Sequence, residues 1–137
     1  MTIIWGYSSE DTLSKGKEVG KEVIKVKQIF SALLFREGIK GMSIRIESFE
    51  KETEAVLELI IDDETILSSE FSPSETGDLI FEIPDKIIPQ TKIEIIAKVT
   101  KGALVLPISS IGNGMGFHMR DDSYIPTTHL GLGILLA

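Results

Sequence analysis

Apolar and polar residues alternate with a period of two along much of this chain. In the segment AVLELII, residues 55–61, every second residue is apolar on one face of an extended chain, and Glu58 lies on the other face. The same alternation recurs in GMSIRIES (41–48), DLIFEIP (78–84) and KIEIIAKV (92–99), which are rich in β-branched residues. The pattern predicts a β-strand in each of these four segments.

Glycine, proline and acidic residues separate these segments at short intervals, as in SPSETG (72–77). Further segments with strand character are EVIKVKQIF (22–30), TILSSEF (65–71), ALVLPIS (103–109), GFHMR (116–120) and LGLGILLA (130–137). About eight or nine strands with short connections are typical of β-sandwiches. The sequence therefore predicts an all-β fold in which residues 1–137 form a single-domain antiparallel β-sandwich, jelly-roll-like in its connections. Residues 23–137 would form the sandwich, and residues 1–22 an N-terminal arm or edge segment.

One segment within residues 1–22 has a helical alternative. SEDTLSKGKEVGKEV (9–23) begins like a capped helix, but Gly16 and Gly20 would lie in the helix interior. Each interior glycine costs about 1 kcal/mol relative to alanine. A short helix therefore stays open as the alternative to an edge segment.

The composition is that of one globular domain with an uneven charge distribution. The chain has 137 residues, no cysteine and a net charge of −7, so disulfides, thiolate metal sites and cysteine nucleophiles are excluded. Residues 47–85 carry thirteen acids against one base, Lys51, and would repel a phosphate backbone, so no nucleic acid partner is expected. The basic segment KGKEVGKEVIKVK (15–27) is either a solvated approach to a strand or an electrostatic contact to an acidic neighbouring copy.

The first residues, MTIIWGYSSEDTLSKG, have neither a basic n-region nor the apolar run of a signal peptide. No stretch approaches the roughly 18 apolar residues of a membrane span. The expected localisation is cytoplasmic synthesis without a signal peptide, followed by use there or incorporation into a virion.

The segment GNGMGFHMRDD (112–122) gathers glycines, a histidine, an arginine and two acids. Its glycines follow G-x-G-x-G and not the dinucleotide pattern G-x-G-x-x-G, and no G-K-[ST] follows as in a P-loop. A phosphate cradle is therefore not predicted. The segment is expected to be a loop and short strand that crosses one end of the sandwich.

Metal binding has two candidate constellations. The oxygen-rich loops suit calcium, which takes six to eight oxygen ligands, and their candidate ligands are Asp62, Asp63, Asp121 and Asp122, with Glu64 beside the first pair. A second set of ligand types, for zinc or another divalent ion, comprises His118, His129, Asp121 and Asp122. The alternative is that these acids cap turns and keep the surface soluble. No cofactor is expected beyond the candidate structural calcium ion.

Catalytic motifs do not stand out from the background. No G-x-S-x-G nucleophile elbow occurs, and 21 acids guarantee carboxylate pairs without setting any pair apart. The chain is therefore predicted not to be an enzyme, and a metal-dependent enzyme at the histidine set is the least favoured reading.

Aromatic residues near glycines and polar neighbours are candidates for a sugar-binding platform, because a ring stacks on the apolar face of a sugar. The candidate ligand-binding residues are Trp5, Tyr7, Phe117, His118 and Tyr124, and the four aromatic rings among them are expected to be exposed.

Both ends of the chain, MTIIW and LGLGILLA, are apolar. Chain termini are usually polar unless they are tied down. The ends are therefore expected either to pair within one sandwich or to be buried by self-association, for which a symmetric homo-oligomer such as a trimer is the candidate.

The order of QIFSA (28–32), GIKGMSIRIES (38–48), AVLELIIDDETILSSEF (55–71) and DLIFEIPDKIIPQTKIEIIAKV (78–99) resembles small jelly-roll-like β-sandwich modules. Such modules occur in bacteriophage tail and capsid accessory proteins and in bacterial surface proteins. The resemblance covers roughly residues 28–110 and consists of fold-determining positions. It implies a non-catalytic module that binds glycans or builds assemblies.

The resulting expectation is a non-enzymatic structural or receptor-binding component of a larger assembly, foremost a phage virion, that contacts other assembly proteins and copies of itself. The alternative is a free carbohydrate-binding module of lectin type, with or without calcium.

Overall fold

The computed structural model describes residues 2–119 and 123–137, which form an antiparallel β-sandwich. The strands are β1 Ile3–Trp5, β2 Leu13–Val19, β3 Lys25–Ser31, β4 Ile39–Ile46, β5 Ser48–Phe49, β6 Glu54–Ile61, β7 Glu64–Phe71, β8 Gly77–Ile87, β9 Lys92–Lys101, β10 Leu104–Ser109, β11 Phe117–Met119, β12 Tyr124–Ile125, β13 His129–Leu130 and β14 Leu132–Leu136. Two short 3-10 helices, Glu10–Thr12 and Ala32–Leu34, complete the regular structure of the described residues.

One layer is a six-stranded sheet with the order β12-β11-β3-β9-β6-β7. The opposite layer combines the sheet β1-β14-β4-β8 with a second group, β13-β10-β2, in which β5 also pairs with β10. Hydrogen bonds from Arg45 N to Gly131 O (2.8 Å) and from Glu47 N to Val105 O (2.9 Å) join the two groups. From β3 to β10 the chain crosses repeatedly between the layers, except from β4 to β5 and in the β6–β7 hairpin. This is the jelly-roll-like connectivity that the sequence predicts.

The core lies between the two layers and follows the predicted alternation. Leu57 and Leu59 of β6 and Ile93 and Ile95 of β9 have no exposed surface. They belong to one hydrophobic cluster that draws side chains from all three groups of strands. Truncating such a leucine or isoleucine to alanine costs about 2–5 kcal/mol.

The structure has more strands than the eight or nine that the sequence predicts. Each of the nine predicted strand segments contains at least one strand, and LGLGILLA divides into β13 and β14. Four strands are additional: β2 lies in the segment 9–23, for which an edge segment and a short helix both stayed open, and β1, β5 and β12 have two or three residues each. Segments this short show no measurable period.

Residues 2–22 contain the edge strands β1 and β2 and no α-helix, so the helical alternative is wrong. One 3-10 turn forms at Glu10–Thr12, with the Ser9 hydroxyl accepting from Asp11 N at 3.2 Å. The chain then continues as β2, which pairs with β10 from Leu13 to Val19. The ladder to β10 satisfies the backbone of this segment without placing Gly16 inside a helix.

The two apolar ends pair with each other inside the sandwich. β1 and β14 are antiparallel neighbours, with Ile4 opposite Ile134, and β14 also pairs with β4. Ile134 and Leu132 are fully buried. Of the two expectations for the ends, pairing within one sandwich is confirmed, and the ends give no reason for an oligomer.

Among the described residues, no helix is both long enough and apolar enough to cross a membrane.

Candidate functional site

A cleft of about 340 Å³ lies on the outer face of the six-stranded sheet. We call it the basic groove; its lining residues are Lys25, Lys27, Ile29, Lys92, Glu94, His118 and Met119. They come from β3, β9 and β11, which are adjacent in the sheet although far apart in the sequence.

Strand alternation places the lysines of the basic groove. In β3, Val26 and Phe30 are fully buried, so Lys25 and Lys27 point to the outer face. The strand register sets Lys27 opposite His118 of β11 on one side. A strand with alternating lysines and buried apolar residues thus supplies half of the groove.

Glu94 is a buried acid that holds two lysines in position. Its residue is only 7% exposed, and its carboxylate oxygens lie 3.2 Å from Lys27 Nζ and 3.2 Å from Lys92 Nζ. Hydrogen bonds to Glu94 and Asp63 raise the pKa of Lys92. Within the described residues Lys25 forms no ion pair, so the groove keeps a positive excess.

His118 and Tyr124 stack at the rim of the basic groove. Their ring centroids are 4.6 Å apart and their planes are inclined by 27°. Tyr124 is 45% exposed, and its hydroxyl donates a hydrogen bond to the Met115 carbonyl. The structure thus brings two of the predicted ligand-binding residues together, next to Lys25 and Lys27 of the basic segment 15–27 and next to Lys92, which the sequence did not single out.

The expectation of exposed rings is wrong for two of the aromatic candidates. Tyr7 and Phe117 are each 2% exposed, because Phe117 belongs to the core cluster and Tyr7 packs against Trp5 and Arg45. Trp5 is half-buried and stacks in parallel on Tyr7, with 5.9 Å between centroids. A Cβ at Gly133 would lie 2.8 Å from Trp5 Cε3, so the indole packs against the backbone of β14. All three rings make packing contacts within the chain.

Arg45 joins the Trp5–Tyr7 pair to two acids, a cluster absent from the sequence prediction. Its guanidinium lies 4.5 Å from the Trp5 ring centroid. Arg45 Nε and Nη2 donate to the Asp78 carboxylate at 2.7 and 2.9 Å, and Nη1 donates to the Tyr7 hydroxyl and to Glu10. The hydrogen bond to Asp78 raises the pKa of Arg45, and burial raises the pKa of Tyr7 to about 12. Because the guanidinium is engaged by protein groups, the cluster acts as a cross-link between β4, β8 and the N-terminal segment.

The carboxylates of the Asp62–Asp63 turn contact protein donors. Asp62 accepts from Gln90 N at 2.8 Å, from Thr91 N at 2.7 Å and from the Thr91 hydroxyl at 2.8 Å. These bonds, those from the Thr91 and Gln90 backbone first, lower the pKa of Asp62 to about 2. Asp63 pairs with Lys92 at 3.2 Å.

The described residues test only some of the metal predictions. Asp121 and Asp122 lie outside the residues that the structure describes. Across residues 2–119 and 123–137, no group of three histidine or acidic side chains is arranged to hold a metal ion. His118 and His129 lie in strands of different sheets. Calcium at Asp62 and Asp63 stays a prediction.

The glycine-rich loop uses its backbone donors on the protein itself. Asn113 N and Gly114 N both donate to the Gly6 carbonyl, at 2.9 and 3.1 Å, and Met115 N donates to Ile29 O at 2.7 Å. These donors are engaged by the protein and unavailable to a phosphate, which agrees with a glycine spacing that matches no phosphate-binding motif. Gly116 adopts φ 92°, a region that disfavours other residues.

Two buried polar side chains fasten this loop. Gln28, fully buried, donates to Gly116 O at 3.0 Å and accepts from Leu130 N at 2.8 Å. His129 is 6% exposed and packs over Gly112, where a Cβ would lie 2.2 Å from the imidazole Cγ. Its Nδ1 has no hydrogen-bond partner within the described part of the chain, and burial lowers the pKa of His129. Sequence reading missed Gln28, because a glutamine in a strand carries no sign of its distant partners.

No protein-family model matches this chain, and no curated protein matches its sequence.

Proposed function

We propose that this chain is a non-enzymatic β-sandwich that serves as a structural or receptor-binding component of a larger assembly, and that it binds an anionic partner through the basic groove. The observation that carries the proposal is the clustering of Lys25, Lys27 and Lys92 on one sheet face of a chain with net charge −7. The resemblance to phage tail and capsid accessory modules favours a virion as the assembly.

Fixed positive charge supports recognition of an anion. The Glu94 carboxylate holds Lys27 and Lys92 on a rigid sheet, so little side-chain entropy is lost when an anion binds. Lys25 has no carboxylate partner among the described residues and adds free charge on the same face of the sheet. A basic surface on an acidic protein also orients an approaching anionic partner and speeds its association.

Binding to immobilised heparin tests the proposal, since heparin presents dense sulfate and carboxylate charge. The test variant is the double substitution Lys25→Glu/Lys27→Glu. The matched control is Lys15→Glu/Lys17→Glu, which changes net charge equally but lies on β2 in the opposite layer.

We expect the groove variant to bind at least about tenfold more weakly than the wild type, and the control to stay within about threefold. Raising the salt from about 50 to about 500 mM should weaken wild-type binding. Equal losses in the two double variants, or no binding by the wild type, would refute a role for the groove.

A second candidate function, a carbohydrate-binding module, is favoured by the exposed Tyr124 ring at the rim. A sugar ring that stacks on Tyr124 would place an acidic substituent toward Lys27. On a glycan panel we expect acidic glycans to bind and Tyr124→Leu to reduce their binding about tenfold. Trp5→Leu is the comparison, because Trp5 packs against Gly133 and Arg45. Repeating the panel with a chelator tests the calcium prediction, and no glycan binding on the panel rejects this candidate.

A further inference from the structure

We propose that the anionic partner of the basic groove is the acidic half of the same sheet face on a second copy of this chain. The inference rests on the proposed function, because it names the occupant of the same groove. It commits to a two-fold dimer held face to face through the six-stranded sheet.

The outer face of this sheet is divided by charge. Registered neighbours across four strands define two rows, one comprising Lys25, Lys98, Val56 and Glu70, and the next comprising Lys27, Ile96, Glu58 and Ser68. Both rows begin with lysine on β3 and contain glutamate on β6 or β7. The half formed by β3, β9 and β11 is therefore basic, and the half formed by β6 and β7 is acidic.

The outward charges of the two halves nearly balance. The basic half carries Lys25, Lys27, Lys92 and Lys98 together with Glu94, and the acidic half carries Glu54, Glu58 and Glu70. Within the described residues, Lys25, Lys98, Glu58 and Glu70 form no ion pair in the chain. A face that is neutral in sum but divided in charge is complementary to itself.

Apolar side chains occupy the middle of the face. Val56 and Ile60 of β6 are half-buried, and Ile96 of β9 is 8% exposed. In the two rows, Val56 lies between Lys98 and Glu70, and Ile96 lies between Lys27 and Glu58. An apolar centre with charged flanks is the usual layout of a protein interface.

Symmetry selects one way of joining two such faces. A two-fold axis parallel to the strands, between two facing sheets, sets the β3 half of one copy over the β6–β7 half of the other. Each copy then contributes its basic groove to one contact and its acidic half to the other, as in any isologous dimer. An axis across the strands would instead oppose lysines to lysines.

The available area predicts a weak dimer. Six strands at about 4.8 Å spacing and about six residues of length give a face of roughly 500 Å² per copy. The total of roughly 1,000 Å² is near the lower limit for a specific interface. We therefore expect a micromolar, salt-sensitive association.

Charge reversal on each half tests the pairing, with sedimentation velocity as the measurement. The basic-swap variant is Lys25→Glu/Lys27→Glu, and the acidic-swap variant is Glu58→Lys/Glu70→Lys. Each variant alone opposes like charges in the two-fold dimer. In a mixed dimer of the two variants, both contacts again join lysine to glutamate.

The wild type is expected to dimerise, each swap variant alone to associate at least about tenfold more weakly, and the equimolar mixture to recover wild-type affinity within about threefold. Recovery in the mixture also shows that both variants are folded. The Lys15→Glu/Lys17→Glu control should dimerise like the wild type.

A wild type that stays monomeric up to about 500 µM overturns the dimer, as does a mixture that remains monomeric although both variants unfold at wild-type temperatures. If the wild type is monomeric yet binds heparin in a Lys25- and Lys27-dependent way, the dimer fails while the proposed function stands. If heparin binding is also insensitive to these lysines, both fail.

Discussion

Arg45 holds together residues from distant parts of the chain, and its role depends on the shape of the guanidinium. Two parallel hydrogen bonds reach Asp78, a third reaches the Tyr7 hydroxyl, and the flat cation faces the Trp5 ring. A lysine ammonium keeps the charge but cannot form the two parallel bonds together with the stacked contact.

We therefore expect Arg45→Lys to lower the free energy of unfolding by about 1–3 kcal/mol. The measurement is urea unfolding followed by fluorescence of the single tryptophan, which lies at the cluster. Arg36→Lys is the matched control, since Arg36 is exposed. A loss that is the same in both variants would show that Arg45 acts only through its charge.

Because His129 is buried, we expect the free energy of unfolding to depend on pH. Burial lowers its pKa below the ordinary 6.5, so the unfolded chain binds a proton more readily than the folded one. The contribution of neutral His129 is present in full above the ordinary pKa and is lost as the pH falls toward the lowered folded value. The free energy of unfolding should decline between about pH 7.5 and about pH 5.

His129→Gln should flatten this decline in urea unfolding measured across the same range. His118→Gln is the control, since His118 is the other of the two histidines and lies in the basic groove. A decline that persists in His129→Gln but vanishes in His118→Gln would assign the pH dependence to the groove instead.

In the turn between β6 and β7, hydrogen bonds to Asp62 lower the pKa of its carboxyl group. Asp62 accepts from the backbone of Gln90 and Thr91 and so ties the β6–β7 turn to the start of β9. Its pKa is lowered to about 2 from 3.8. Its contribution is therefore present above the ordinary value and is lost as the pH falls through about 2.

Asp62→Asn should remove this part of the acid sensitivity, because an amide keeps the turn conformation but does not titrate. Thermal unfolding between about pH 5 and about pH 2 measures the effect. Asp85 lies at an exposed position in β8, so Asp85→Asn should leave the fall of the unfolding temperature at low pH unchanged. If the unfolding temperature of Asp62→Asn falls at low pH as it does in the wild type, other carboxylates dominate acid unfolding.

Elements with strong alternation were predictable from the sequence, and contacts between elements were not. β6 and β9 follow from their own residues, because a period of two fixes which side chains are buried. β5 and β12 are held by their neighbours and have too few residues for a pattern. The basic groove depends on β3, β9 and β11 becoming adjacent, and the exposure of Tyr7 and Phe117 depends on what packs over them. The residues within a single strand or loop show neither which strands become neighbours nor which side chains are covered.

For the whole molecule, the position of the termini decides what a truncation can test. β14 lies between β1 and β4 and contributes Leu132 and Ile134 to the core. Deleting residues 132–137 therefore removes an internal strand, leaves β1 without its neighbour in the sheet, exposes one edge of β4 and opens the core. Losing two fully buried aliphatic side chains alone costs about 4–10 kcal/mol, comparable to the whole stability of a domain.

We accordingly expect the chain truncated after Gly131 to be unfolded, with loss of the tertiary near-ultraviolet circular dichroism and of dispersed amide signals. Deleting only Ala137, the exposed last residue, should preserve the fold and any self-association. A truncated chain that stayed folded and monomeric while the full chain formed oligomers would instead place the terminal strand at an interface between copies. That result would also contradict the two-fold dimer, because β14 belongs to the layer opposite the basic groove.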